Sequence, residues 1–213
     1  MKNVLAFGDS LTWGADAKSG GRHAFEDRWP NVLEAQLAGQ ARVFAEGLNG
    51  RTTVFDDYSI ATERNGAKAL PSLLATHEPL DLVIIFLGTN DMRTHICGNA
   101  AGSAMGITRL ITIVKTFAYK PGHPIPDILV LSPPLVEAGA DALFNDVMAG
   151  AAELSTAYAA KYRQICEREN VNFFDVAPIV QLDPTDGVHL DAANTRKIGL
   201  ALAPVVKELL SLN

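Results

Sequence analysis

Apolar residues follow two rhythms in this chain. Short runs that are apolar at nearly every position alternate with longer stretches in which apolar residues recur every three to four positions. The first run, Val4-Leu5-Ala6-Phe7, stops at Gly8. A polar, glycine-containing loop follows over 15–28, and Pro30 then suits the opening turn of a helix carrying Val32, Leu33 and Leu37 at helical spacing. Residues 41–48 read as a second strand that breaks at Asn49-Gly50. The stretch 51–79 is mixed, with a helix expected over 67–76. Leu82-Val83-Ile84-Ile85-Phe86-Leu87 is apolar throughout, which predicts a central strand covered on both faces. A helix is expected over 100–118, then Pro and Gly punctuation at 121–126. A fourth strand over 128–131 closes at Ser132-Pro133-Pro134. One long amphipathic helix over 141–169, a short strand over 171–174 and a last helix over 191–211 complete the pattern.

Five strands alternating with helices, with no repeat and no linker-like stretch, predict an α/β fold: one doubly wound parallel sheet in a single domain spanning 1–213. In such sheets ligands bind beyond the carboxyl ends of the strands, where the strand order reverses.

Composition narrows the function classes. Of the 213 residues 48% are hydrophobic, so a disordered or fibrous chain is not expected. The net charge is −6 and no Lys/Arg cluster stands out, which argues against a nucleic-acid partner. Cys97 and Cys166 lack the close spacing of a metal or redox pair and read as two reduced thiols. Nothing approaches the length of a membrane span, and the first apolar run is too short for a signal core. The expected location is the cytoplasm, with no membrane partner. Neither phosphate-binding nor dinucleotide glycine motifs occur, and no His/Cys cluster has metal-ligand spacing, so neither metal nor cofactor is expected.

The chemistry lies at the strand ends. Ser10 follows the first strand, Asn49-Gly50 the second and Asn90 the third, while Asp186-Gly187-Val188-His189 lies beyond the fifth. Acyl transfer needs a nucleophile, a base to take its proton, a group to orient that base, and donors for the oxyanion. Ser10 offers a hydroxyl. Of the five histidines, His189 alone sits just before a helix with an aspartate three residues earlier, so Asp186 could hold Nδ1–H and leave Nε2 for Ser10. The backbone N–H of Ser10, that of Gly50 and the side-chain amide of Asn90 are candidate oxyanion donors. Asp9 either braces the turn before Ser10 or contacts substrate. Trp13 either joins the core or walls the acyl pocket. His23 and His95 follow strand ends and are open to substrate contact, whereas His77 and His123 read as surface histidines.

These stretches, Gly8-Asp9-Ser10-Leu11, Gly50, Gly88-Thr89-Asn90-Asp91 and Asp186-Gly187-Val188-His189-Leu190, resemble in order the four sequence blocks of the GDSL or SGNH hydrolases. The resemblance spans essentially the whole chain. It implies a flavodoxin-like three-layer α/β/α sandwich with a five-stranded sheet of order 2-1-3-4-5. It also implies Ser10 as nucleophile, His189 as base, Asp186 as its orienter, and Ser10, Gly50 and Asn90 as oxyanion donors. The runs Gly8-Asp9-Ser10-Leu11-Thr12-Trp13-Gly14 and Glu46-Gly47-Leu48-Asn49-Gly50-Arg51-Thr52-Thr53 are most similar to the bacterial arylesterase and acyltransferase branch. That branch tends towards small acyl pockets and homo-oligomers. Members associated with acyl transfer in water often carry Ser-Ala where this chain has Asn49-Gly50, which favours hydrolysis over transfer.

The expected activity is a serine esterase for small-molecule esters with short acyl groups, acetyl foremost, on aryl or carbohydrate alcohols. Arg22 and His23 are candidates to meet a polyol. The alternatives are a long-chain thioesterase or lysophospholipase, an acyltransferase of the same family, and a non-catalytic binding module on the same fold.

Overall fold

The computed structural model describes all residues from Met1 to Asn213. Five strands, β1 (Lys2–Gly8), β2 (Ala41–Gly47), β3 (Leu82–Phe86), β4 (Asp127–Ser132) and β5 (Asn172–Asp175), pair in parallel in the order β2-β1-β3-β4-β5. Side chains alternate across a pleated strand, so each run that is apolar at every position feeds two cores at once. Leu5, Phe7, Val83 and Ile85 enter one; Val4, Ala6, Ile84 and Phe86 enter the other.

Helices cover both faces. The first core is closed by Leu70 and Leu74 of α3 (Gly66–His77), by Ile107, Leu110 and Ile111 of α4 (Ala100–Thr116), and by Tyr158 and Tyr162 of α7 (Tyr158–Glu169). The second is closed by Trp29 and Leu33 of α2 (Trp29–Gln36) and by Ile198, Leu202 and Val206 of α8 (Ala192–Leu209). The result is the three-layer sandwich expected from the pattern and the resemblance. Polar caps set where several helices begin: Asn65, Asn99 and Asp191 accept from the first free N–H groups of α3, α4 and α8.

One expectation fails. The stretch 141–169 is not a single helix but three, α5 (Ala142–Val147), α6 (Ala151–Ser155) and α7. Gly150 takes φ +80°, a left-handed conformation that glycine adopts freely and that ends a right-handed helix. The apolar spacing runs on across this break, so periodicity alone reads it as continuous.

The chain leaves β1 for β2 on one side and later crosses to β3 on the other. The reversal therefore falls above β1, and the crevice opens between the segments that follow β1 and β3. A four-residue helix, α1 (Ser10–Trp13), starts there directly after the strand.

Candidate active site

Asp9 caps α1: its Oδ1 accepts from the Leu11 N–H at 2.9 Å. Ser10 thereby occupies the first helical position, where a backbone N–H has no intrahelical partner and faces outward. Its hydroxyl lies 2.9 Å from His189 Nε2, although the two residues are 179 apart in sequence. His189 Nδ1 lies 2.6 Å from Asp186 Oδ2. The other carboxylate oxygen, Oδ1, accepts the backbone N–H groups of Val188 and His189. Burial pushes the Asp186 carboxyl upward, but the His189 ring and these N–H groups outweigh it and hold it below the ordinary carboxylate range. An ionised carboxylate only accepts, so Nδ1 carries the proton. Nε2 is then the acceptor, and the Ser10 hydroxyl donates to it.

The loop bearing Asp186 and His189 is gripped by the segment after β4. Glu137 N–H donates to Gly187 O at 2.9 Å, Ala140 N–H to Pro184 O at 3.0 Å and Asp141 N–H to Thr185 O at 3.1 Å. Gly187 takes φ +69°, and a Cβ there would fall 2.0 Å from Glu137 O, so only glycine lets the two segments approach. His23, open to substrate contact on the sequence, instead sets its Nε2 2.8 Å from Leu190 O and braces the same loop from the other side. No local spacing signals the 137–141 strap, because its partners are about fifty residues away.

The opposite side of the crevice is assembled by arginines and a buried acid. Arg51 donates to Gly8 O at 2.8 Å and to Glu46 O, and its guanidinium lies 4.5 Å over the Phe7 ring, which pins the loop holding Gly50 to the end of β1. The Asn90 amide donates to Arg51 O at 3.0 Å, while Arg93 donates to Asn90 Oδ1 at 2.7 Å. With its oxygen engaged by Arg93, Asn90 has its NH2 turned towards the Gly50–Arg51 side. Asp91, fully buried, accepts from Thr53 N–H at 2.9 Å and from the Thr53 and Ser103 hydroxyls at 2.6 Å each. It ties the segment after β2 to the segment after β3.

Ser10, Gly50, Asn90, Asp186 and His189 line a single cavity of about 250 Å³. Arg64, Arg93 and Thr89 join them, and Phe144 and Met148 supply apolar surface. The Phe144 and His189 rings lie 6.0 Å apart. Asp9, Trp13 and His95, expected as substrate contacts, do not line it. Asp9 is spent on capping α1 and is buried, Trp13 stacks beneath the Arg22 guanidinium at 4.8 Å, and His95 is exposed on the turn after β3. His77 and His123 pair with Glu46 and Glu78 away from the cavity. No group of three or more His, Cys, Asp or Glu side chains is arranged to hold a metal ion. The cysteines are unpaired, and no helix is long and apolar enough to cross a membrane.

Buried acids differ sharply around Ser10. Burial raises the Asp9 carboxyl to about 6, against the opposing pull of the Leu11 N–H, His189 and Arg51. One of its oxygens has no hydrogen-bond partner in the chain.

Comparisons with known proteins show the family. The model of the GDSL-like lipase/acylhydrolase family matches residues 6–196. A carbohydrate acetylesterase family member from Sinorhizobium meliloti is 47% identical, covers 100% of both chains and superposes with a TM-score of 0.97. The aryl esterase of M. smegmatis is 41% identical over 99% of this chain and 100% of its own, with a TM-score of 0.93. A second carbohydrate acetylesterase from S. meliloti is 36% identical over 98% and 100%, with a TM-score of 0.93. No curated protein matches the chain by sequence. The chain belongs to the GDSL-like lipase/acylhydrolase family and is a carboxylic ester hydrolase.

Proposed function

We propose that the protein hydrolyses short acyl esters, acetyl esters foremost, of aryl or carbohydrate alcohols through an acyl-enzyme on Ser10. The observation that carries the reading is the unbroken line from Asp186 through His189 to Ser10, with contacts of 2.6 and 2.9 Å. Ser10 Oγ attacks the ester carbonyl while its proton passes to Nε2, and the imidazolium is stabilised by the Asp186 carboxylate. The backbone N–H groups of Ser10 and Gly50 and the Asn90 amide receive the charge that develops on the carbonyl oxygen. Collapse of the tetrahedral intermediate expels the alcohol, which takes the proton back from Nε2. Water then repeats the sequence on the acyl-enzyme and releases the acid.

Acyl length follows from size. A cavity of about 250 Å³ lies below the roughly 300 Å³ at which sites for drug-sized ligands begin, which favours acetyl over a long-chain thioester or lysophospholipid. Only 5 of the 17 residues lining it are hydrophobic, which suits an alcohol with hydroxyl groups better than a lipid tail. The names of the similar proteins, two carbohydrate acetylesterases and an aryl esterase, support the same classes of alcohol. The reading takes residues 1–213 as one catalytic domain that associates with copies of itself; exposed apolar side chains such as Leu143 and Met105 support association.

Ser10→Ala is expected to abolish turnover of p-nitrophenyl acetate and labelling by a fluorophosphonate while the circular dichroism spectrum stays native. Retained turnover in that folded variant removes the proposal. A series from acetate to laurate should show kcat/KM falling with chain length, and light scattering reads the assembly state.

A further inference from the structure

We propose that the cavity contains a carboxylate subsite formed by Arg64 and Arg93, so that the preferred esters carry a negative charge near the scissile bond. This rests on the hydrolase reading above and adds the charge of the substrate to it.

The two arginines come from different segments, the loop before α3 and the turn after β3, and both line the cavity with Ser10 and His189. Their side chains are only 16% and 15% exposed. A single carboxylate serves both: Asp57 Oδ2 accepts from Arg64 Nη1 at 2.7 Å and lies 3.8 Å from Arg93 Nη1, beyond hydrogen-bond reach. Two guanidinium groups against one carboxylate leave an excess positive charge in a partly desolvated wall. The chain as a whole carries −6, so this is a local arrangement and not a reflection of composition.

Donor capacity points the same way. A guanidinium has five N–H donors in a fixed fork. The protein takes one side-chain hydrogen bond from Arg64, to Asp57, and one from Arg93, to Asn90 Oδ1. Arg93 Nε is buried and finds no acceptor in the chain. Guanidinium pairing is strongest when a carboxylate meets both arms of the fork, and neither arginine is engaged in that way. Here most of the fork is left over, on a wall that faces substrate.

The position is also specific. A Cβ on Gly50 would fall 2.5 Å from the Arg64 guanidinium carbon, and Arg93 holds Asn90 directly. The positive charge therefore lies beside two of the proposed oxyanion donors, within reach of a substituent on the acyl group or on the alcohol. The two other acids that line the cavity keep their charges but are held elsewhere: Asp186 faces His189, Asp16 faces Ser19 and the Lys18 N–H, and neither forms an ion pair with Arg64 or Arg93. The ligand class is a carboxylate-bearing ester, either a half-ester of a dicarboxylic acid or the acyl ester of a hydroxy or uronic acid.

Matched pairs separate these sources. On the acyl side, p-nitrophenyl hemisuccinate is compared with p-nitrophenyl methyl succinate; on the alcohol side, 3-acetoxybenzoate with its methyl ester. The wild-type enzyme is expected to favour the carboxylate of one pair in kcat/KM by about tenfold or more, the scale of a charged hydrogen bond, and to lose this preference as salt is added. Arg64→Gln should bring the ratio towards one, and Arg64→Lys should recover part of it. A wild-type ratio at or below one in both pairs, with the neutral esters turned over, overturns the subsite and leaves the hydrolase reading intact. A second readout needs no turnover: Ser10→Ala protein titrated calorimetrically should bind 3-acetoxybenzoate or hemisuccinate more tightly than the matching methyl ester. Equal affinities there overturn the subsite as well, whereas no turnover of any ester by the wild-type enzyme, with that binding preference present, overturns the hydrolase reading alone.

Discussion

Two walls of the cavity that holds Ser10 are built on opposite principles. The wall that carries Asp186 and His189 is cross-tied: both Asp186 oxygens are engaged, the loop is strapped to residues 137–141, and His23 supports it from behind. The wall formed by α5 has no buried residue of its own; Leu143 is 75% exposed, and Phe144 leans towards the His189 ring. One stretch follows β5 and the other β4, and both face the same cavity. Groups that hand over protons and stabilise charge must be held to within fractions of an ångström, whereas the surface that meets the substrate's carbon chain needs only shape. The crosstied wall is expected to govern rate, and the loosely seated helix to govern which ester enters.

Mutations that attack the tied wall should act on rate. Asp186→Asn is expected to lower kcat by about 10³–10⁴-fold on p-nitrophenyl acetate, the scale for a triad acid replaced by its amide, because the ring loses the acceptor that fixes its tautomer. A loss of less than tenfold would show that Asp186 does not set the state of His189. Across the crevice, Asn90→Ala removes one proposed oxyanion donor and should reduce kcat by about 10²–10³-fold with little change in KM. If KM rises and kcat holds, Asn90 binds ground-state substrate instead.

Asp9 tests whether the floor beneath Ser10 obeys the same economy. Its carboxyl, raised by burial to about 6 in the folded chain, binds a proton more tightly than it does unfolded. The folded state therefore holds more protons between about pH 4 and 6. Its stabilising contribution is greatest below that window and is lost as pH rises through it. Asp9→Asn keeps an oxygen to cap α1 without the buried charge, and should raise stability at pH 8 by about 2 kcal/mol while flattening the change between pH 4 and 6. Denaturant melts at several pH values measure this, and an unchanged slope would sink the assignment. The smallest effect belongs to the loose wall. Phe144→Ala should shift the optimum towards longer acyl chains while changing acetate turnover by no more than about fivefold, the scale of a partly exposed apolar contact. A loss of acetate turnover comparable to that of Asp186→Asn would erase the distinction between the walls.

Much of this architecture could be read from the chain because it is local. A run such as Leu82–Leu87, apolar at every position, admits little but a strand buried on both faces, and Asp186 and His189, three residues apart, can pair within one turn of loop. The break at Gly150 leaves no mark on the pattern, because apolar periodicity carries no record of a single backbone torsion. Trp13 could equally have walled the pocket, and Arg22, nine residues on, decides against it by covering the ring. Arg64 and Arg93 give no signal as a pair, since their meeting depends on two separate connections, one between β2 and α3 and one after β3.

The sequence by itself determined the alternation of elements, the two-sided core and the chemical groups placed at the strand ends, because burial patterns and side-chain chemistry are properties of neighbouring residues. Only the tertiary structure decided that a serine and a histidine 179 residues apart lie within hydrogen-bond distance, that the Asn90 amide donates to Arg51 O, and that two guanidinium groups keep most of their donors free beside it. Those outcomes depend on strand order and on hydrogen bonds between distant loops, which come into being only when the chain closes on itself.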